Sequence, residues 1–390
     1  MKMELARKMV GNLPPFISIT LFGIKFFCDN PKKILSMCSR VRQYEKQDQS
    51  DWDKNDRKHL YKTLRTYCLF CSHIGAEDFL NTYFEKPKLK LIKSTNKESK
   101  ESNDIPILIC CVKNDLDRVK KVYEYHKSIG IDKFIFVDND SEDGTREWLE
   151  EQDVDLYFTD EDYSAGKKSA WVQKVIDIYG YDRWYLVVDS DELFTYPGVE
   201  NNNIQELIRY AEVKKLDRIE SVLLDMYPEH ELYANNETDF ITEYRFFDQD
   251  SYYEAKDGRG YMKRGGPRKR AFGDQLDHSE PLSKYPLMYV KYGDLWSDHR
   301  PLPFSKNFNS ECLAVLRHYK FMSGDYEKYI RISEEGRYYN GSANYKIYTQ
   351  KGIDVSMKYE KSVEYIDSNS LACLDFIKTV DFDGLGENEA

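Results

Sequence analysis

Between residues 105 and 188 the chain alternates short apolar runs with segments whose apolar residues recur at helical spacing. The apolar runs are 105–112, 133–137, 156–159 and 184–188, and the helical segments are 116–129 and 168–179. Continuous apolar runs of this length are typical of parallel strands that are covered on both faces. The pattern therefore predicts an α/β fold of Rossmann-like type, with a mainly parallel sheet flanked by helices.

The composition is that of a globular protein, since 41% of the 390 residues are hydrophobic and 14% are aromatic. The 57 Lys and Arg residues against 68 Asp and Glu residues give a net charge of -11. An acidic chain lacks the basic field with which proteins bind nucleic acids, so we expect no nucleic-acid partner. Eight scattered cysteines fit a reducing cytoplasm better than a disulfide framework. We therefore expect a cytoplasmic protein.

Composition also divides the chain into three parts. Residues 1–100 form an N-terminal accessory region with helical patterns and with a polar linker near 86–104. Residues 105–350 form the main domain, and residues 351–390 form a C-terminal extension with an acidic tail.

An apolar run at residues 13–28 is shorter than the roughly 20 residues that a membrane-spanning helix needs. Lys32, Lys33, Arg40 and Arg42 follow it. One interpretation is a packed helix or strand. The other is that residues 13–42 touch anionic lipid and hold the protein peripherally at the inner face of the membrane.

Polar residues follow two of the predicted strands. Asp138 and Asn139 open the turn 138–145, and Asp189 and Asp191 follow the fourth strand. Open parallel sheets bind ligands at such turns. Two carboxylates two positions apart converge on one divalent cation if the chain turns there, and oxygen ligands suit Mn²⁺ or Mg²⁺. The alternative is a solvated acidic turn.

The apolar strand with its two aspartates is also similar to the motif of aspartate-nucleophile phosphatases and phosphotransferases. In those enzymes the motif follows the first strand of the domain, with Thr or Val two places after the second aspartate. Here it follows the fourth strand, and Leu193 holds that place. On this interpretation Asp189 is the nucleophile.

An ordered set of motifs between 105 and 348 resembles glycosyltransferase family 2-like proteins of the GT-A fold, especially a bacterial branch associated with surface polysaccharides. The motifs lie at 113–115, 125–126, 129–130, 138–145, 186–194, 223–228, 265–270, 282–287 and 316–321. Residues 1–100 lie outside the resemblance.

The resemblance implies a nucleotide-diphosphate sugar donor, a UDP-sugar above all, and a divalent cation, Mn²⁺ or Mg²⁺. It implies transfer of the sugar, with inversion, to a hydroxyl of a glycan or lipid-linked acceptor. Matched by position, Asp138 and Asn139 would contact the base or ribose, and Asp189 with Asp191 would hold the metal and the diphosphate. His318 matches a further metal or diphosphate ligand, the alternative being an ordinary strand histidine.

A dense basic cluster surrounds Gly265 and Gly266 and includes Lys263, Arg264 and Arg268. Guanidinium groups donate two hydrogen bonds to one phosphate, and glycines let the backbone approach a ligand closely. We expect this cluster to bind the donor diphosphate or a phosphate-bearing lipid acceptor, with a solvated basic loop as the alternative. Lys284 is a weaker candidate for the same role.

Inverting transfer needs a general base that takes the acceptor proton. Asp225 is our first candidate because it follows apolar residues 222–224, where burial would raise its pKa toward neutrality. The competing candidates are Asp274, Asp277, His278 and Glu280.

Three functions stay open: a metal-dependent glycosyltransferase, a phosphatase or phosphotransferase that uses Asp189, and a non-catalytic binding protein on a GT-A-like domain.

Overall fold

A computed structural model describes residues 23–71, 75–85, 89–95, 105–234, 239–257, 259–273, 281–322, 324–336, 339–352 and 355–383. The strands are β1 (Lys90–Lys93), β2 (Ile107–Val112), β3 (Lys133–Asp138), β4 (Asp155–Phe158), β5 (Arg183–Asp189), β6 (Glu192–Thr195), β7 (Arg218–Asp225), β8 (Phe246–Asp248), β9 (Tyr252–Asp257), β10 (Gly260–Gly265), β11 (Ser283–Val290), β12 (Glu311–His318) and β13 (Ser362–Glu364). The α-helices are α1 (Pro31–Gln47), α2 (Lys54–Cys71), α3 (Ala76–Leu80), α4 (Leu116–Ser128), α5 (Thr145–Glu151), α6 (Ala165–Tyr179), α7 (Ile204–Val213), α8 (Phe240–Glu243), α9 (Gly266–Phe272), α10 (Asp325–Glu335) and α11 (Tyr339–Lys351).

A nine-stranded sheet organises the fold, in the order β1-β4-β3-β2-β5-β11-β7-β12-β6. Parallel pairing joins β4 to β3, β3 to β2, β2 to β5, and β7 to β12. Strand β11 runs antiparallel to β5 and β7, and the edge strands β1 and β6 are also antiparallel to their neighbours. The prediction of a mainly parallel α/β sheet is confirmed, and the predicted strands and helices between 105 and 188 end within three residues of the observed ones.

Both faces of this sheet are buried. In β2, Leu108 and Cys110 pack into one apolar cluster, while Ile107 and Ile109 pack into a second cluster on the other face. Successive side chains of a strand point to opposite faces, so a strand covered on both sides is apolar at every position. This explains why the sequence shows continuous apolar runs rather than alternation.

Strand direction decides which residues meet. Strands β3, β5, β7 and β12 end at one edge of the sheet, and the antiparallel strands β6 and β11 begin there. This edge, which we call the carboxyl edge, carries the terminal or first residues Asp138, Asp189, Asp225, His318, Glu192 and Ser283, with Lys284 next to Ser283.

The described part of the N-terminal region contains helices α1, α2 and α3 and packs on the main domain. Leu60 and Phe70 of α2 share an apolar cluster with Ala170 of α6 and with Phe304. A second contact is made by backbone alone, since a Cβ on Gly166 would lie 2.0 Å from the carbonyl oxygen of Gly75. Only glycine at position 166 allows this approach.

The predicted linker at 86–104 contains a strand of the main sheet. Strand β1 pairs with β4, and Lys90 lies opposite Phe158. Leu91 and Ile92 are exposed because β1 forms the edge of the sheet. An edge strand that buries so little has no continuous apolar run, so the expectation of a linker is wrong for residues 90–93.

Helix α1 begins within the segment 13–42, for which membrane contact is predicted, and extends five residues beyond it. Its residues Ile34, Met37 and Val41 are buried, whereas Leu35 is 58% exposed. Residues 13–22 lie outside the described part of the chain. Among the helices described, none combines the length and the apolar character needed to cross a bilayer.

The C-terminal extension returns to the main body. Strand β13 pairs with β8, and Leu371 and Leu374 are buried. The end of the acidic tail, residues 384–390, lies outside the described part of the chain.

His126 on α4 supplies a test of this packing. Its Nδ1 is 2.7 Å from the carbonyl oxygen of Val122, and its Nε2 accepts a hydrogen bond from the Phe194 N–H at 3.2 Å. Burial lowers the pKa of His126 to about 4. The unfolded chain therefore binds a proton below pH 6.5 that the folded chain excludes, and stability is lost as the pH falls from 6.5 toward 4.

We expect His126→Gln to reduce this pH dependence. Between pH 7 and pH 4 the unfolding free energy of the wild type should fall by about 3 kcal/mol more than that of the variant, because glutamine does not titrate. Urea denaturation at both pH values measures the difference. Lys127→Gln, at the exposed neighbouring position, is the control and should follow the wild type. Parallel curves for wild type and His126→Gln would contradict the interpretation.

Candidate functional site at the carboxyl edge of the sheet

The turn between β5 and β6 brings the acidic motif together. Strand β5 ends at Asp189, and two residues later the chain enters β6 at Glu192. The Asp189 N–H donates a hydrogen bond to Glu192 Oε2 at 3.1 Å. The Tyr319 N–H donates to the Asp191 carbonyl oxygen at 2.9 Å, which fixes the turn to the end of β12. The chain therefore turns between Asp189 and Glu192, as the predicted metal site required.

Three potential metal ligands meet beside this turn. Each of the three residues offers one ligand atom, and these atoms lie within 4.8 Å of one another: they belong to Asp191, Glu192 and His318. His318 Nε2 is 3.2 Å from Asp191 Oδ2. The Asp191 side chain is 22% exposed, so the cluster opens to solvent on its side. Of the predicted ligands, Asp191 and His318 are brought together, Asp189 is not part of the group, and Glu192 is an addition.

A buried chain of charges supports His318. Its Nδ1 is 2.6 Å from Asp225 Oδ1, and Arg268 Nε donates to Asp225 Oδ2 at 2.7 Å. Burial lowers the pKa of His318, but the carboxylates of Asp191 and Asp225 outweigh burial and leave it raised. Asp225 therefore orients the imidazole and stabilises its charge.

The expected raised pKa of Asp225 is wrong. Burial alone would raise it, but Arg268 and His318 together lower the pKa of Asp225 to about 2. Both oxygens already accept hydrogen bonds or face an ion partner. A carboxylate held this strongly in its charged form is a poor proton acceptor near neutral pH. The competing candidates Asp274, Asp277, His278 and Glu280 lie outside the described residues.

Asp189 belongs to a second ion network. Lys168 of α6 donates to its Oδ1, and Lys284 of β11 donates to its Oδ2 at 3.0 Å. Lys284 also donates to Glu192 Oε1 at 2.6 Å and lies 3.1 Å from Asp298 Oδ1. Lys168 lies 3.5 Å from the same Asp298 oxygen. Two ammonium groups therefore share three carboxylates.

These neighbours set the protonation of the second network. Burial favours neutral Asp189, but Lys168 and Lys284 outweigh it and lower the pKa of this carboxyl. Burial disfavours charged lysines, but Asp189 and Asp298 raise the pKa of both ammonium groups well above the usual range. Burial raises the pKa of Glu192 to about 7. Both lysines are therefore cations, and Glu192 is the member that gains or loses a proton near neutral pH.

Asp138 and Asn139 lie at the carboxyl edge, two strands from β5. Asp138 Oδ2 accepts a hydrogen bond from Arg146 at 2.7 Å. Asn139 Nδ2 donates to the carbonyl oxygens of Thr159 and Glu161. The Oδ1 atoms of both residues are buried and have no hydrogen-bond donor among the described residues. Two buried acceptors without a donor among the described residues thus lie at the edge where the sequence predicts a base or ribose contact.

The predicted basic cluster is divided among ion pairs. Lys263 pairs with Glu254 on β9, whereas Arg268 pairs with Asp225 inside the site. Lys263, Arg264 and Arg268 are each less than 9% exposed, so the alternative of a solvated basic loop is wrong. Donor binding by Lys263 and Arg264 stays a prediction.

The glycine pair is explained by the chain's own backbone. Gly265 has φ +97, and a Cβ there would lie 2.2 Å from the Ser251 carbonyl oxygen. Gly266 has φ +78 and faces Leu282. Approach to a ligand, which we expected, is therefore not needed to account for these glycines.

Three residues of the site were not predicted as site residues. Glu192 directly follows Asp191, so its membership was accessible once the turn was assumed. Lys168 lies in the segment Gly166-Lys-Lys-Ser169, which is similar to the end of a phosphate-binding loop but lacks the leading glycine, because position 161 is Glu. Asp298 follows no strand and carries no local sequence signal.

Comparisons with known proteins add no family. No protein-family model matches the chain, and a search of curated proteins finds no significant relative. Because one fold supports many chemistries, the function has to be argued from the residues of the site.

Replacing Asp225 tests the first charge network. Asp225→Asn removes the buried carboxylate that Arg268 and His318 share, so we expect the unfolding free energy to fall by about 3–5 kcal/mol. Denaturant titration at pH 7 measures this. Asp250→Asn, which breaks an exposed pair with Lys361, is the control and should change stability little. An equally small effect at Asp225 would show that the network is not a stabilising unit.

Proposed function

We propose that the protein is a metal-dependent, inverting glycosyltransferase of the GT-A type. It would move a sugar from a nucleotide-diphosphate donor, a UDP-sugar in particular, to a hydroxyl of a glycan or lipid-linked acceptor in surface-polysaccharide synthesis. The observation that carries the proposal is the meeting of Asp191, Glu192 and His318 at the carboxyl edge of the sheet. Ligands bind at this edge in open α/β sheets.

The donor atoms of this cluster suit a divalent cation. Asp191 is charged because His318 and other nearby cations hold its pKa well below the usual range, against the effect of burial. Carboxylates with one imidazole favour Mn²⁺ over Mg²⁺, since Mg²⁺ prefers oxygen ligands alone. His318 would bind the cation through Nε2 and would give up the proton from that nitrogen. Glu192 accepts one hydrogen bond on each oxygen, and each oxygen has a further lone pair. A cation bound here would neutralise charge on the departing diphosphate.

Asp138 and Asn139 supply the nucleotide contact in this proposal. A buried oxygen without a donor costs about 1–3 kcal/mol, and a ligand that donates a hydrogen bond removes this cost. The N–H groups of a base and the hydroxyls of a ribose are such donors. The free Oδ1 atoms of Asp138 and Asn139 are therefore suited to a nucleoside.

The reaction balances with a single displacement. The acceptor oxygen forms a bond to the anomeric carbon as the bond from that carbon to the diphosphate oxygen breaks. The nucleoside diphosphate leaves with the electron pair, and the acceptor proton passes to a general base. Asp225 holds His318 in place rather than serving as this base.

We propose that the reaction takes place in the cytoplasm, with residues 13–42 as a contact to the membrane.

Asp191→Asn tests the metal site. We expect the wild type to bind UDP in the presence of Mn²⁺, and the variant to lose at least about tenfold in affinity, since a charged ligand contributes 1.4 kcal/mol or more. Isothermal titration calorimetry with and without Mn²⁺ measures this. The matched control is Asp132→Asn, an exposed aspartate just before β3 at the opposite edge of the sheet, which should bind like the wild type.

Activity separates the three candidate functions. Release of nucleotide from a sugar nucleotide, lost in Asp191→Asn, supports the glycosyltransferase. Hydrolysis of simple phosphomonoesters with a phosphate trapped on Asp189 would instead support a phosphatase. Wild-type protein that binds no nucleotide with or without Mn²⁺ would contradict our proposal, and absence of phosphomonoester hydrolysis as well would leave only a non-catalytic binding role.

A further inference from the structure

Two buried lysines lie next to the metal-ligand cluster. As ammonium groups they have no lone pair and cannot bind a cation. The Lys168 and Lys284 side chains are each 7% exposed. Lys284 reaches the cluster directly through Glu192. Placing two ammonium groups inside a protein is costly, because each loses its hydration. Their position at a ligand-binding edge therefore calls for a function as well as a fold.

Two of their carboxylate partners differ in how firmly they are held. Asp189 is part of β5, where it lies opposite Cys111 of the neighbouring strand β2. Asp298 lies at the tip of loop 296–301, outside any strand or helix, and is 38% exposed. Asp298 is therefore the partner that can leave the lysines at the smaller cost in structure.

The base of that loop is fixed independently of its tip. Leu295 and Leu302 pair through two backbone hydrogen bonds of 3.1 and 2.9 Å. The Trp296 N–H donates to Gln173 Oε1 at 3.0 Å. Displacement of the Asp298 side chain breaks neither contact. Loop 296–301 can thus release one carboxylate while its ends stay in place.

We propose that Lys168 and Lys284 form the binding site for the donor diphosphate, and that Asp298 occupies this site until the diphosphate displaces it. The inference rests on the proposed function. It strengthens the earlier expectation for Lys284 and adds Lys168 and Asp298, which no motif assigns to a ligand. Both lysines lie against one negatively charged oxygen, Oδ1 of Asp298, and a phosphate oxygen carries the same kind of charge. Asp298 therefore occupies the place that phosphate oxygens take in the donor complex.

The arrangement has two consequences for the reaction. The ammonium groups lie where negative charge grows on the leaving nucleoside diphosphate, so they stabilise the departing group. The product then competes with Asp298 for the same two cations. Return of Asp298 favours release of the nucleoside diphosphate.

The proposal predicts opposite effects for the two kinds of residue. In full-length protein without divalent cations, Lys284→Met and Lys168→Met should bind inorganic pyrophosphate and UDP at least about tenfold more weakly, because each loses a charge-assisted hydrogen bond. Asp298→Asn should bind both ligands several times more tightly, because the competing charge is gone. Calorimetry in EDTA measures all three variants.

The chain offers matched controls. Lys306 also lies between two carboxylates, with its Nζ 2.9 Å from Asp217 Oδ2 and 2.9 Å from Asp294 Oδ2. Asp217 is 36% exposed, nearly the same as Asp298. Lys306→Met and Asp217→Asn should leave the affinity for pyrophosphate unchanged.

Asp298→Asn decides the case even if a lysine variant does not fold. Unchanged or weaker pyrophosphate binding by Asp298→Asn overturns the proposal and leaves the network as a purely structural one. Tighter binding without sugar transfer from any sugar nucleotide supports this site and contradicts the glycosyltransferase. Mn²⁺-dependent UDP binding with no effect of Asp298→Asn supports the metal-dependent nucleotide site and contradicts the proposed role of Asp298.

Discussion

Neutralisation of buried charge is the constraint on which the carboxyl edge depends. Several strands of the sheet end in ionisable side chains inside the protein, where each charge needs a partner. Arg268, Asp225, His318 and Asp191 form one chain of alternating sign, whose first three members are buried. Lys168, Asp189, Lys284 and Glu192 form a second chain. The two chains meet at the turn 189–192, so the position of this turn is set from both sides.

The reversed direction of β11 makes the second chain possible. Lys284 is the second residue of β11, and the strand lies between β5 and β7. In a parallel orientation the beginning of β11 would lie at the opposite edge of the sheet, away from Asp189. One antiparallel strand in the middle of a mainly parallel sheet therefore brings Lys284 to the edge where Asp189 and Glu192 lie. The sheet topology and the electrostatics of the site are thus a single feature.

Much of the main sheet could be predicted from the sequence, because strands that are buried on both faces have continuous apolar runs. The positions of Asp138, Asp189 and Asp191 after such runs were sufficient to locate the edge. Contacts between distant segments left no such signal. The burial of Asp225 was correctly expected, but its pKa depends on Arg268 and His318, which are 43 and 93 residues away along the chain. Strand β1 escaped notice because an edge strand buries too little to need apolar residues.

The close approach of Gly75 to Gly166 makes the position of helix α6 in the site depend on the N-terminal region. Gly166 lies two residues before Lys168 on α6, so the backbone that carries this lysine rests on the backbone of the accessory region. Neither glycine tolerates a side chain without a shift of the other segment. Any homologue that replaced residues 1–100 with an unrelated segment would need a new support for α6.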